Sequence, residues 1–458
     1  MSTARMNPYR FEILAMWSRA VPQFAPTVEC SVWATDDERL LGVVIMDLTD
    51  RDYNFVILAR DERGRFRAVD VGETYFTRRM ADVALAKRLP EISNLEDAAF
   101  EQGDVAGRSL DLFTPLVPAD RQHPDFLTLA NGPAFSAARE VIAEMANVFD
   151  DPDGNFVKDF QTTGFNSRLW ELYLFAVLVE EGFKLDRRHP QPDFIASKGA
   201  QTIAIEATTV NPSVGDDGKP VDPPRPERPE DLAELLRDYM PIKFGSPLFQ
   251  KLKKKDWERN HVKGLPYAIA IADFHGPQTM TWSSSALSSY LFGLQLEFRP
   301  TPDGGLSWSY LPIEKHTHRT KSIPSGFFDQ PDSENVAAVL FTNAGTLPKF
   351  NRMGALADFG HPDVRLIRRG TVLNPDPQSA VPFQVSIDID DPSYHEGWAD
   401  ELQVFHNPHA RYPLDRRLFP AATHHFLEDG EIKSYRHAPT WLGSVTLILM
   451  PSADKDSH

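Results

Sequence analysis

The sequence predicts an α/β protein: an α/β core of about 190 residues, an α+β region ahead of it and a loop-rich stretch behind. Three observations carry this. Strand-like runs alternate with helical ones between about 155 and 345. Two of these runs, Pro266–Asp273 and Val336–Thr342, are apolar throughout and of strand length, which suits strands buried on both faces. The first 90 residues instead carry four Val-, Ile-, Phe- and Tyr-rich runs separated by polar turns.

Those four runs are Cys30–Ala34, Leu40–Leu48, Tyr53–Ala59 and Phe66–Val71. The turns between them hold Asp36-Asp37, Asp50–Asp52 and Asp61–Gly64. Thr77 to Lys87 reads as a helix closed by Pro90, and Pro133–Val148 as a second. Asp150–Gly154 breaks the chain, so a domain boundary is placed at 150. In the core, Ser167 or Asn166 caps a helix that runs to about Glu181 and stops at Gly182. Pro192–Ala196 and Gln201–Thr209 are strands joined by a turn at Lys198-Gly199. Asn211–Glu230 holds six prolines in twenty residues and reads as an extended loop. Pro229 to Met240 is a short helix. Ser246 caps another, with Pro247 in its first turn, that runs through Leu252 to about Arg259. A second boundary is placed at 345. Residues 346–458 read as a loop-rich extension packed on the core, with short strands at Phe383–Ile389 and Ser444–Met450.

Composition narrows the function. Acids outnumber bases 65 to 48, a net charge of −17, and a field of that sign repels phosphate backbones. Any nucleic-acid site is therefore a local basic surface. Thirty-seven prolines exclude a simple helical bundle. The single Cys30 excludes a disulfide framework and a Cys-based zinc site. Glu12 interrupts the run Phe11 to Trp17, which makes a poor signal peptide. Apolar stretches such as Leu172–Val179 fall far short of the roughly 20 residues of a membrane span, so the expected location is the cytoplasm with no membrane partner.

Three acids stand out. Glu171 is the only charged residue in LWELYLFAVLV, an almost wholly apolar helix. A buried carboxylate needs a partner or a metal, unless the helix dipole near the first turn accounts for it. Asp193 follows Pro192 at the start of one strand, and Glu206 lies inside the apolar strand QTIAIEATT. Side chains alternate along a strand, so Ala204, Glu206 and Thr208 share a face. Two acids on adjacent hairpin strands can converge, and their repulsion is relieved by a hard cation, Mg²⁺ or Mn²⁺. The plainer reading of Glu206 is a surface acid at a strand end.

A buried helix with one Glu, then Pro-Asp, about a dozen residues and a hydrophobic strand ending Glu-x-Thr resembles the PD-(D/E)XK, or restriction-endonuclease-like, nuclease superfamily. Glu171, Pro192, Asp193, Glu206 and Thr208 carry the resemblance, which covers about 165–275 and extends at most to 345. It implies a mixed central sheet flanked by helices. It also implies a metal held by Asp193 and Glu206 and assisted by Glu171, and phosphodiester hydrolysis with in-line attack. The family's motif usually ends in Lys, where this chain has Thr208. Some members supply that lysine from the following helix, and Lys251 is the choice here, ahead of Lys253, Lys254 and Lys255.

From Lys243 to Lys263 the chain carries +5, against −22 elsewhere. Lys251, Lys253, Lys254, Lys255 and Arg259 are thus candidate phosphate contacts, set against the plainer reading of a solvated helix face. Trp257 is either a base-stacking platform or core.

These features predict a Mg²⁺- or Mn²⁺-dependent nuclease acting on DNA, which the resemblance sets in bacterial restriction or anti-phage defence, as a homodimer or with a defence-system partner. A nuclease-fold scaffold that binds nucleic acid or protein without cutting is the alternative, and a hydrolase of a small phosphorylated ligand a third. The histidines His406, His409, His424 and His425 read as loop or core residues, since Asn407-Pro408 forbids a helical metal pair. Asp150–Gly154 reads as a capping turn. No Walker A, dinucleotide-binding or nucleophile-elbow pattern is present.

Overall fold

Among the described residues up to Val71, alternating apolar residues and Asp-rich turns form a five-stranded antiparallel sheet. The computed structural model describes residues 2–19, 26–103, 109–215, 220–278, 281–300, 306–374, 381–437 and 440–450. Strands β1 (Thr3–Arg5), β2 (Thr27–Thr35), β3 (Leu40–Asp47), β4 (Tyr53–Arg60) and β5 (Phe66–Val71) pair in sequence order. Helix α1 (Pro8–Leu14) lies between β1 and β2. In the last turn Asp61 accepts from the backbone N–H of Arg63 and Arg65, and Gly64 takes the positive φ the turn requires. Helix α2 (Arg78–Ser93) covers one face and is capped by Thr77. It runs three residues past Pro90, where the sequence placed its end. Ala81, Leu85, Leu89 and Ile92 form one buried stripe on the sheet, and that burial outweighs the backbone hydrogen bond a proline forfeits.

Helix α3 (Ser136–Val148) follows a short 3₁₀ turn at Pro133–Phe135. Its Val141, Ile142 and Met145 join Phe149, Phe156 and Phe160 in the cluster that packs on α4 (Phe165–Glu180). One apolar core therefore spans both sides of residue 150. Helix α4 starts ahead of the expected cap. Ser167 lies inside it and bonds Thr209 Oγ1 at 3.0 Å. Gly182, at φ +78°, ends it as expected.

The centre is an eight-stranded mixed sheet. It contains β6 (Lys184–Asp186), β7 (Phe194–Lys198), β8 (Gln201–Val210) and, after helix α5 (Met240–Lys254), β9 (Tyr267–Asp273). Helix α6 (Ser284–Phe292) precedes β10 (Ala338–Thr342), and helix α7 (Leu347–Leu356) follows it. Strands β6, β7 and β8 pair antiparallel, whereas β8, β9 and β10 run parallel. Ile203, Ile205 and Ala207 of β8 enter the core under α3, α4 and α7, while Ala204 and Val210 enter the core under α5 and α6. Helices thus cover both faces.

Two expectations change. Helix α5 is continuous from Met240, so Ser246 and Pro247 lie in its interior and do not cap it. Met240, Phe244, Leu248 and Leu252 recur every four residues and are all buried, which holds the helix through Pro247. It ends at Lys254, because Lys255 takes φ +54°. The C-terminal region is also less loop-rich than expected. After β11 (Arg365–Val372) and β12 (Phe383–Asp388), strands β13 (Gln403–His406), β14 (Thr423–Glu428) and β15 (Glu431–Tyr435) extend the central sheet beyond β10. Strand β16 (Trp441–Leu449) pairs with β11 to complete a separate three-stranded sheet with β12. The histidines lie here, His406 and His424 buried and 2.9 Å apart through their rings. No described helix is long and apolar enough to cross a membrane.

A buried charge cluster ties α7 to this C-terminal region. Glu396 accepts from Lys349 at 2.6 Å, from Arg352 at 2.7 and 2.8 Å and from the Tyr394 hydroxyl at 2.5 Å. Arg368 on β11 pairs with Glu401 beside it. Removing one partner of such a cluster strands buried charge. Glu396→Gln is expected to cost about 3–5 kcal/mol in urea unfolding; a loss within experimental error would mean that this cluster does not hold the C-terminal region in place.

Candidate functional site

The hairpin β7–β8 sets the geometry. Phe194 pairs with Ile205, so Asp193, one residue further, stands across from Glu206. Asp193 Oδ2 accepts from the Ala207 N–H at 2.7 Å, which fixes its carboxylate at the strand mouth. Glu206 belongs to the even-numbered face of β8, the one covered by α5, and is only 2% exposed. From α5, Lys251 donates to Glu206 Oε1 at 2.5 Å, and Lys254 Nζ lies 3.7 Å from the same oxygen. Glu206 Oε2 has no hydrogen-bond partner among the described residues.

Burial and mutual repulsion make these acids hard to ionise. The Glu206 carboxyl is pushed up to about 7, first by burial and then by the charge of Asp193. Asp193 is pushed up to about 6, by burial and then by Glu171, with Lys251 opposing. Burial works against the Lys251 ammonium, but Glu206 and Asp193 more than compensate and hold its pKa above the ordinary value.

Glu171 occupies a different setting. It projects from α4, on the opposite face from α5, and arginines meet it. Arg168, one turn earlier, donates to Oε1 at 2.9 Å, and Arg187 Nη2 stands 3.9 Å from Oε2. The Arg187 guanidinium lies 3.9 Å from the Phe149 ring centroid and 4.7 Å from that of Phe194. The partner that a buried carboxylate requires is thus a pair of arginines. Among the described residues, no three His, Cys, Asp or Glu side chains stand close enough to hold a metal ion. The expected three-acid centre is therefore a two-acid centre, with Glu171 acting on Asp193 through its charge. The reason is geometric: α4 and α5 cover opposite faces of β8, and one ion does not reach across a sheet.

The two-acid centre does fit a divalent cation. Asp193 and Glu206 supply hard oxygen donors, one Glu206 oxygen is unengaged, and an added positive charge relieves their repulsion. Thr208 lies two residues after Glu206 on the same strand face, and Lys251 brings an ammonium to Glu206.

The basic stretch is largely engaged within the chain. Lys255 pairs with Asp332 at 2.9 Å, and Arg259 with the buried Asp256 at 2.6 Å and with Gln191. Lys253 rests over the Phe249 ring. Lys255 and Arg259 thus have acidic neighbours, and both side chains stay partly exposed. Trp257 packs edge-on against Tyr267 in the core and is no stacking platform. Arg168 and Arg187 were missed in the sequence. Arg168 was legible, three residues before Glu171 on one helix, whereas nothing in the sequence brings Arg187 to the same carboxylate.

The raised carboxyls give a pH signature. Between roughly pH 4 and 7 the folded chain keeps protons that the unfolded chain has released, so these groups lower stability as pH rises through that window. Asp193→Asn removes one group and lightens the load on Glu206. Relative to the wild type, the variant is expected to gain on the order of 1–3 kcal/mol in urea unfolding near pH 8 and little near pH 5. Equal changes at both pH values would show that the Asp193 carboxyl is not held above its unfolded value.

No protein-family model, curated protein or solved structure matches the chain.

Proposed function

We propose that the chain is a divalent-metal-dependent nuclease that hydrolyses phosphodiester bonds in DNA, with a restriction-endonuclease-like core. The observation that carries this reading is the juxtaposition of Asp193 and Glu206 across a hairpin, with Lys251 delivered from the next helix onto Glu206. The mixed sheet with helices on both faces, and the order of the elements, support it.

Asp193 and Glu206 would hold the ion, Mg²⁺ or Mn²⁺, and the Ala207 N–H fixes the Asp193 carboxylate. When bound, the ion would supply the Lewis acidity for water activation near neutral pH and for charge on the phosphate. Lys251 orients the water and offsets charge on the phosphate oxygens in an in-line displacement. Glu171 is a positioning residue: bonded to Arg168, with Arg187 nearby, it acts on Asp193 through its charge.

A second reading is favoured by one observation. The Lys251–Glu206 pair is buried and closed, and Thr208 replaces the motif lysine, which suits a scaffold that binds nucleic acid without cutting. Incubation with plasmid, linear duplex, single-stranded DNA and RNA, with Mg²⁺ or Mn²⁺ and with chelator, separates the two. Metal-dependent cleavage that disappears in Asp193→Ala and Glu206→Ala is expected. Metal-insensitive binding without cleavage would favour the scaffold.

The lysine has its own test. Lys251→Ala is expected to slow cleavage roughly 10²-fold or more, the range for a positioned proton-transfer or electrostatic group. The Mn²⁺-induced rise in melting temperature should persist in that variant. An unchanged rate would move the role to Lys254.

A further inference from the structure

Beside α5, away from the acids, lies a cavity of about 660 Å³. Its walls are the end of β8 and the proline-rich segment after it, the exposed side of α5, and the turn of the hairpin formed by strands Lys315–His318 and Lys321–Pro324. Among the described residues, three cations line it, Lys243, Arg319 and Lys321, against one acid, Asp222. Lys243 is held in place by donating to the Asn211 carbonyl at 2.8 Å and the Ser213 hydroxyl at 3.1 Å. No described carboxylate forms an ion pair with any of the three. That contrasts with Lys255 and Arg259, which are balanced by acids. Tyr239 and His318 also line the cavity, packed edge-on with ring centroids 5.1 Å apart.

Cations without an ion pair among the described residues, gathered in one concavity of a chain of net charge −17, make an anion site. The volume lies within the range of small-ligand sites, and the aromatic pair offers a surface for a planar base. Lys243 is eight residues before Lys251 on the same helix, about 12 Å along its axis. We propose that this cavity binds a nucleotide unit, its phosphate on Lys243, Arg319 and Lys321 and its base against Tyr239 and His318. The unit is either a free nucleotide or one residue of a strand that continues toward Lys251. This binding requires neither Asp193 nor Glu206, so it stands apart from the nuclease reading.

The test is fluorescence anisotropy in chelator with a fluorescein-labelled single-stranded 12-mer of DNA, with dAMP as competitor. The wild type is expected to bind the 12-mer. The triple variant Lys243→Ala, Arg319→Ala, Lys321→Ala should bind at least tenfold more weakly, with a salt slope shallower by about 0.7, the contribution of one phosphate contact on a single strand. The charge-conserving pair Arg319→Lys, Lys321→Arg should retain binding, which separates lost charge from lost fold. Competition by dAMP assigns the cavity to a free nucleotide; its absence, with the triple variant still weakened, assigns it to a strand. An unchanged affinity and slope in the triple variant, or no binding by the wild type, overturns the proposal. Binding without metal-dependent cleavage would sink the nuclease reading alone.

Discussion

Two carboxylates set opposite one another across a hairpin, with one ammonium bonded to Glu206, are the constraint around which the site is built. Neither acid ionises freely there. Burial and repulsion push Glu206 up to about 7 and Asp193 up to about 6, and Lys251 offsets only part of the load. Such a site accepts positive charge readily, because every added cation lowers the cost of ionising both groups. The excess of buried negative charge is costly to the fold, and it is also what makes this cleft chemically distinct from the rest of an acidic protein.

The surrounding elements hold that arrangement in place. Strand register puts Asp193 opposite Glu206, and the Ala207 amide pins one of the two. Helix α5 brings Lys251 over β8 because its stripe Met240, Phe244, Leu248 and Leu252 is buried without interruption. A helix beginning at Ser246 would leave that stripe half formed and the lysine less firmly placed. On the opposite face, Arg168 and Arg187 carry the third carboxylate, so Glu171 needs no ion of its own. The basic stretch that looked like one phosphate surface divides by function: Lys251 serves Glu206, and Lys255 and Arg259 balance acids. Lys243 instead faces a separate cavity.

The C-terminal quarter is structural to the core. Strands β13, β14 and β15 continue the central sheet, and the Glu396 cluster locks α7 against β11 and the loop before β13. The buried histidines belong to this framework. Burial pushes His406 and His425 down to about 3, so both stay neutral and serve as packed rings and hydrogen-bonding groups.

The sequence by itself determined the local features. Alternating apolar residues and Asp-Gly turns specify β2 to β5. The apolar run around Glu171 specifies a buried helix, and Pro-Asp followed by a hydrophobic strand specifies the two acids of the hairpin. These signals are short-range and repeat with the period of the backbone, so they can be read without neighbours. Tertiary structure decided what depends on contacts distant in the chain. It carried α2 past Pro90 and α5 through Pro247, because burial against a sheet outweighs local propensity. It drew β13 to β15 into the central sheet, although QVFH and THHFLE show little apolar pattern. It paired Glu171 with Arg187 and put α4 and α5 on opposite faces of β8, thereby separating three acids that look alike in the sequence. Which face a side chain meets is a property of the packed sheet, and no single strand or helix records it.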